Sequence, residues 1–382
     1  MYKDLVYDGN SLFGAFKRAR ENTAFKAPTQ QFEGDLLFEL AKLQKSLQKG
    51  TYKSGKKHEF ILSERGKTRL IHSASFADKV FQHSLCDNVL TPILRKYLIY
   101  DNCASLPNKG LSLSRKRFRV HMQKYFNKYK TNEGYILLMD FSGYYDNLRH
   151  DLVLKELGKV IKDKWVLDVT KMCLDNFKQD VSFLSDEEID KLYEGKYKAL
   201  NFVNIPRNEK VGKKFMYKSL DIGDQCSQIL GVYYPTRIDN YVKIVRSQKY
   251  YGRYVDDSYI ISKSKDELID LLVNVKKIAK EMGIILNSDK VRIVKLNSTF
   301  VFLQHKYFLT SSGKLVERVN PKLVTRERIR LKKFFAIKMP LKDIENNFKA
   351  WKGNYYHYMS KEQRKRMNKL YYSLKEGAIN GR

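Results

Sequence analysis

Two apolar stretches in this chain run directly into acids. Tyr135-Ile-Leu-Leu-Met closes on Asp140, and Tyr254-Val is followed by Asp256-Asp257 before a second apolar run, Tyr259-Ile-Ile261. The aliphatic and aromatic residues call for buried strands, and a carboxylate at the end of a buried strand is costly unless something neutralises it. A hard divalent cation does so, and carboxylate oxygens are its preferred ligands. Carboxylates on adjacent strands holding two Mg²⁺, with Mn²⁺ as an alternative, are apparatus for in-line phosphoryl transfer. Asp140, Asp256 and Asp257 are therefore the candidate catalytic and metal-binding residues. Asp257 could also stand beside the ions rather than on them. Taken alone, Asp-Asp more often marks a turn whose acids face solvent, and it is the basic chain and the second acid-terminated strand that shift the balance. Asp146 reads as a helix N-cap or a hydrogen-bond partner.

The charge balance narrows the choice. Lys and Arg number 73 against 42 Asp and Glu in 382 residues, a net +31. So large an excess repels itself unless a polyanion is bound, with nucleic acid the first candidate and an anionic membrane surface the second. The 26 Tyr and 21 Phe suit stacking on unpaired bases. No apolar run approaches the roughly 18 residues of a membrane span. The start, Met1-Tyr-Lys-Asp-Leu-Val-Tyr-Asp8, lacks the apolar core of a signal peptide. Cys86, Cys103, Cys173 and Cys226 form no C-x2-C pair, which argues against zinc or a disulfide framework and for a reducing cytoplasm.

Residues 1–50 read as helices, with Asn10-Ser11 as a cap and Leu36, Leu37, Leu40, Leu43 and Leu47 at helical spacing. Phe60–Leu62 and Thr68–His72 read as strands around a turn at Ser63–Gly66, and 76–99 as a helix. A basic loop follows, from Lys109-Gly110 through Ser114–His121. Residues 178–219, polar and rich in Lys, read as an insertion or extended hairpin. Gly223–Val242 reads as a helix, Gly252–Ile261 as a hairpin with acids at its turn, and Asp266–Met282 as an amphipathic helix. Strands are expected near 291–296 and 300–308. Ser311–Arg382 reads as mostly helical, with 19 basic and 6 acidic residues.

Tyr254-Val-Asp-Asp257 resembles the Y-x-D-D box of reverse transcriptases, and Asp140-Phe-Ser-Gly-Tyr-Tyr-Asp146 resembles their first palm motif. Further segments arrive in the family's order: Lys67-Thr-Arg69-Leu-Ile71, Lys109-Gly110, Ile222-Gly-Asp-Gln-Cys-Ser-Gln228, Asn287-Ser-Asp-Lys290 and Phe302-Leu303. The resemblance covers about residues 50–310. It implies an α+β right-hand polymerase: an N-terminal helical segment (1–50), fingers (51–135), a palm (136–310) carrying the 178–219 segment, and a short, basic helical thumb (311–382). The Ile-Gly-x-x-x-Ser-Gln box, with Phe76–His83, Ile99–Ala104 and Arg253–Asp257, is similar to diversity-generating retroelement enzymes, which act in phage and bacteria. Ser-Leu-Asp before Ile222 and Phe-Leu-Gln at 302–304 depart from the usual Gly-Leu-Pro and Phe-Leu-Gly.

The resemblance implies an RNA-directed DNA polymerase that copies template RNA from a DNA or RNA primer with dNTPs, misincorporating opposite adenines. It also implies a basic accessory protein and no membrane. Tyr145 would lie beneath the incoming sugar and exclude a 2′-hydroxyl. Lys67 and Arg69 would meet the triphosphate, with Lys290 as electrostatic stabiliser or proton donor. Val255 would approach the primer end. Gly223 would permit close approach, and Ser227 and Gln228 would open the adjoining helix, Gln228 touching sugars or base edges. Arg115, Lys116 and Arg117 would track template phosphates. Arg326, Arg330 and Lys333, at i, i+4 and i+7, would form a basic stripe on duplex. Trp351–Tyr358 fits base stacking or core packing. The runner-up readings are a phage-defence reverse transcriptase of the abortive-infection type and a non-catalytic nucleic-acid-binding protein on this fold. The 72 residues after Thr310, with six acids, leave no expectation of an RNase H domain.

Overall fold

The structure is a computed structural model and describes residues 2–64 and 67–380, without the side chains of Glu64, Lys67 and Asn380. Helices Tyr2–Tyr7, Gly9–Arg20, Ala27–Gly34 and Leu36–Gln48 fill the N-terminal region. The second is capped by Asp8, whose carboxylate accepts from the Ser11 N–H at 3.0 Å, so Asn10 and Ser11 lie inside the helix rather than at its cap. Leu40, Leu43 and Leu47 face inward, while Leu37 is 80% exposed.

Strands β1 (His58–Glu64) and β2 (Lys67–Ser73) pair antiparallel, with Leu62 opposite Arg69. Arg65-Gly66 of the expected turn lie outside the described residues. The expected helix over 76–99 is Phe76–Leu85 continuing through a π turn, Cys86–Leu90, into Thr91–Leu94. The expected basic loop is instead, from Leu111, a helix to Tyr129. Phe118, Met122 and Tyr125 are buried at i, i+4 and i+7, and the basic residues between them hid that period.

Strand β3 (Tyr135–Met139) is apolar throughout. The segment read as an insertion has its own small core. Strands β4 (Gln179–Asp180) and β5 (Phe215–Met216) pair antiparallel around a helix, Asp186–Glu194, that opens on a Ser185/Glu188 capping box. Val181, Tyr197, Ala199 and Met216 pack together there. Buried Lys218 donates to the carbonyls of Leu192, Tyr193 and Gly195 at 2.6–3.2 Å, closing the end of that helix. The helix expected over 223–242 breaks at Tyr234-Pro235 into Gln225–Tyr233 and Thr236–Asn240.

The remaining strands are β6 (Tyr251–Tyr254), β7 (Asp257–Ser262), β8 (Arg292–Lys295), β9 (Phe300–Phe302), β10 (His305–Leu309) and β11 (Leu315–Val319). One sheet runs β6-β7-β3-β8 and another β11-β10-β9. Strand β11 falls where helix was expected. Helices Pro321–Ala336, Leu341–Tyr355 and Lys361–Asn380 follow. Among the described residues, no helix is long and apolar enough to cross a membrane.

The chain forms two compact units: residues 1–114, 139–260 and 269–292, and residues 115–138, 261–268 and 293–382. In the second, Leu331, Ile344, Phe348, Trp351 and Tyr371 share a core, so Trp351 is a packing residue. Phe118 meets Phe300, Phe302 and Tyr307 at ring distances of 4.8–6.1 Å. Removing a ring from such a cluster forfeits its burial and leaves a void. Phe118→Ala is expected to destabilise this unit by about 3–5 kcal/mol, read as a lower urea midpoint.

Candidate active site

Asp140 follows β3 directly and is 4% exposed. The segment 285–287 lies along it: Ser142 N–H donates to Ile285 O at 2.7 Å, and Asn287 N–H to Asp140 O at 2.8 Å. That pairing delivers two side chains to the carboxylate. Lys290 Nζ donates to Oδ2 at 2.6 Å and Asn287 Nδ2 to Oδ1 at 3.1 Å. Burial pulls the Lys290 pKa down. The Asp140 hydrogen bond and the charges of Asp140, Asp257 and Asp256 outweigh it and leave the pKa above its ordinary value. One ammonium thus feels all three carboxylates. Asn287 is a site residue that the sequence reading passed over, although it opens the N-x-x-K motif.

Asp256 sits in the tight turn between β6 and β7, where Tyr254 pairs with Asp257. The other turn residue, Val255, has φ +55°. A β-branched residue in the left-handed region costs on the order of 1–3 kcal/mol. Arg253 offsets this from below. Its guanidinium is fully buried and donates through Nη1 to Val255 O at 2.9 Å and through Nη2 to Val232 O at 2.9 Å. Nε and Nη2 grip Asp239 at 2.8 and 2.7 Å, and Tyr251 OH donates to the same carboxylate at 2.6 Å. Arg253 N–H donates to Asp101 O and Cys103 N–H to Arg253 O, each at 3.0 Å, so residues 101–103 line β6. The sequence could not pair Arg253 with Asp239, because a charged residue in an apolar strand does not reveal its partner.

Tyr145 lies in the short helix Tyr144–Asn147, entered through Gly143 at φ +52°. Gly143, not Asp146, is therefore the N-cap. A Cβ on Gly231 would stand 2.8 Å from the Tyr145 ring, so the ring rests on the bare backbone of helix Gln225–Tyr233. Burial, then the nearby Asp256 charge, pushes the Tyr145 hydroxyl up to about 12. Gly223, exposed at φ +113°, leaves open space where a Cβ would stand. Gln228 is half-buried one helical turn inside, while Ser227 is buried.

Arg69 sits on β2, and its charge reaches Asp146, whose carboxyl burial pushes up to about 6 despite it. Lys67 is on the same strand, and its side chain lies outside the described residues. His72, buried on the same strand, donates through Nδ1 to Asp221 Oδ1 at 2.6 Å and approaches Glu59 through Nε2 at 3.3 Å. Burial opposes its charge, but the two acids hold its pKa at about 9. Asp224, buried beside this pair, is pushed up to about 7 by desolvation and then by Asp221, and its Oδ2 has no partner in the protein.

The basic residues assigned to nucleic acid, all in the second unit, divide. Arg115 is buried and its Nη2 donates to Leu303 O at 3.0 Å, which removes it from an exposed phosphate-tracking stripe. Leu303 and Gln304 have φ +44° and +71°, so the guanidinium braces the strained β9–β10 turn. Lys116 is exposed, and Arg117 is half-buried with Nη2 3.3 Å from His121 Nε2. Arg326 and Lys333 are exposed on the helix Pro321–Ala336. Arg330 lies between them but pairs with buried Glu327 at 2.9 Å, which interrupts the expected stripe.

Among the described residues, no three His, Cys, Asp or Glu side chains are drawn together as a closed metal-ligand group. Asp140, Asp256 and Asp257 carry hard oxygen donors of the kind a divalent cation takes, and Lys290 Nζ lies 2.6 Å from Asp140 Oδ2.

The sequence model of one family, described as reverse transcriptase (RNA-dependent DNA polymerase), matches residues 53–307. No curated protein matches the chain. Similar solved structures include apo telomerase from Candida tropicalis truncated from its C-terminal domain, 14% identical over 68% of this chain and 54% of that one, with a TM-score of 0.47. They also include telomerase from Candida albicans in complex with a fragment of telomeric RNA, 13% identical over 91% and 60%, with a TM-score of 0.44. This chain spans little more than half the length of the first of them, 54%.

The raised Asp224 pKa carries a sign. Its folded form holds a proton that the unfolded chain releases near pH 4, so folding stability falls as pH rises from about 4 towards 7. Asp224→Asn keeps the neutral shape. Its Tm is expected to match that of the parent near pH 4, to exceed it increasingly up to pH 7, and to stay several degrees higher above that.

Proposed function

The chain belongs to the reverse transcriptase family, matched over residues 53–307, and from that premise we propose that it synthesises cDNA on an RNA template as the error-prone enzyme of a diversity-generating retroelement. The observation that carries the polymerase reading is the sheet order, which sets β7, opening on Asp257, beside β3, which runs into Asp140, whose carboxylate accepts from Lys290 at 2.6 Å. In this reading residues 51–135 are fingers, 136–310 palm and 311–382 thumb. Asp140 and Asp256 would hold divalent metal, Mg²⁺ or Mn²⁺, with Asp257 on or beside it. Bound there, the ions would activate the primer hydroxyl and neutralise charge on the pyrophosphate.

The chain's own residues supply the rest. The Tyr145 ring rests on the backbone at Gly231, which stops it retreating, so it would stand as a wall against a ribose 2′-hydroxyl. Arg69, with Lys67, would take the triphosphate, Arg by its fork and Lys as a point charge. Lys290, bonded to Asp140 at 2.6 Å, would act as electrostatic stabiliser or as proton donor to the pyrophosphate. Gly223 and Gln228 would meet the nucleotide and template. Lys116, Arg326 and Lys333 would meet phosphates. The retroelement assignment rests on the Ile222-Gly-x-x-x-Ser-Gln228 box and the Arg253–Asp257 segment. A structured template RNA, a primer, dNTPs and a basic accessory protein are the partners it implies.

Primer extension on mixed-sequence RNA with dNTPs and Mg²⁺ tests this, run with and without native RNA and accessory protein. Asp140→Ala or Asp256→Ala is expected to cut product by about a thousandfold or more, and full product from either variant would overturn the polymerase reading. Errors concentrated at template adenines support the retroelement role, whereas faithful copying favours the defence role. Tyr145→Ala is expected to raise rNTP use relative to dNTP by about 10- to 100-fold, read as incorporation of each from matched mixtures.

A further inference from the structure

The last torsion of an aspartate is soft, so its carboxylate turns to wherever its partners hold it. At Asp140 the partners come from one neighbouring segment. Phe141 bridges Leu286 antiparallel, and backbone bonds from Ser142 to Ile285 O and from Asn287 to Asp140 O, 2.7 and 2.8 Å, hold that register. Asn287 is thereby laid alongside Asp140, and its Nδ2 donates to Oδ1 at 3.1 Å. The chain itself decides which way this amide faces. Its Oδ1 accepts from the Asp289 N–H at 3.2 Å, so its nitrogen is the end that meets the carboxylate. The flipped amide would set oxygen against carboxylate oxygen and leave the Asp289 N–H facing a donor.

The two donors on Asp140 differ in kind. Lys290 reaches Oδ2 at 2.6 Å and keeps half its side-chain surface in solvent. Its flexible four-carbon stem lets the ammonium move without disturbing the backbone. Asn287 reaches Oδ1 from a single carbon and is tied on every side. Its N–H is held by Asp140 O, its carbonyl accepts from the N–H groups of Lys290 and Val291 at 3.0 Å each, and its side-chain oxygen is held by Asp289. It cannot withdraw without breaking those bonds. Each carboxylate oxygen offers two lone pairs, and the amide, by taking one of them, fixes the directions of the others.

We propose that Asn287 is a positioning residue of the polymerase site, its amide holding the Asp140 carboxylate in one orientation whether or not Lys290 is engaged. The proposal rests on the reading of Asp140 as a metal-holding acid. Removing a group that donates to a metal-binding carboxylate typically costs about 10- to 100-fold in metal affinity or activity.

The test compares the full chain with Asn287→Ala and Asn287→Leu. Both remove the amide, and Leu keeps its bulk. Mn²⁺ binding is read by electron paramagnetic resonance without nucleic acid or dNTP, with Asp140→Ala setting the background. Primer extension in Mg²⁺ gives kcat and the dNTP KM. Both Asn287 variants should weaken Mn²⁺ binding and lower kcat by about tenfold or more, with the dNTP KM within about twofold of the parent and the Tm in EDTA unchanged within a few degrees. If Asp140→Ala binds Mn²⁺ and extends primers as the parent does, the reading of Asp140 fails and the proposal falls with it. The proposal alone is overturned if Asp140→Ala loses both properties while the Asn287 variants keep them. It is also overturned if Asn287→Leu restores what Asn287→Ala loses, which would make Asn287 a packing residue, or if the losses come with a large fall in Tm in EDTA.

Discussion

The contact on which the site depends is the buried pair of Arg253 and Asp239. A guanidinium in a protein interior is tolerated only when its donors are met, and four donations are made here: two to Asp239, one to Val232 O and one to Val255 O. The last is the consequential one. It holds the carbonyl of a valine in the left-handed region, in the turn that presents Asp256. A relaxed turn would aim that carboxylate elsewhere. The Arg253 backbone also ties residues 101–103 to β6, so one residue fixes the strand's edge, the turn's conformation and the adjoining helix.

Around that anchor, charge is distributed in two styles. At Asp140 the carboxylate is met by a partly exposed lysine, Lys290, at 2.6 Å. Behind β2, acids and bases are buried and matched, as His72 with Asp221, or left neutral, as Asp224 with its pKa near 7. The first contact lies at solvent and the second is closed off from it. The difference follows from burial: Lys290 keeps half its side-chain surface in solvent, while His72 and Asp221 keep almost none.

The second unit shows the same use of basic residues as structural parts. Glu317 accepts from Arg119 and Tyr307 and contacts His305, and these partners outweigh burial to hold its carboxyl down at about 2. Arg115 braces the Leu303-Gln304 turn and Arg330 neutralises Glu327. Much of the chain's positive charge is therefore visible from composition, but part of it serves the fold and not a polyanion.

The sequence by itself determined the acids at strand ends, the hairpin that carries Asp256, the N-terminal helices and the order of the motifs. Each of these is local: an apolar run interrupted by acids, or a helical period, needs no distant partner to be read. The helix over 111–129 escaped because basic residues between Phe118, Met122 and Tyr125 covered its period. Strand β11 escaped because its pairing with β10, not its composition, makes it a strand. What only the tertiary structure decided was the use of each charge. Arg115 meets Leu303 across 188 positions and Lys290 meets Asp140 across 150. Whether a guanidinium or ammonium braces a turn, neutralises an acid or faces solvent depends on burial and on partners that the fold brings together from far along the chain.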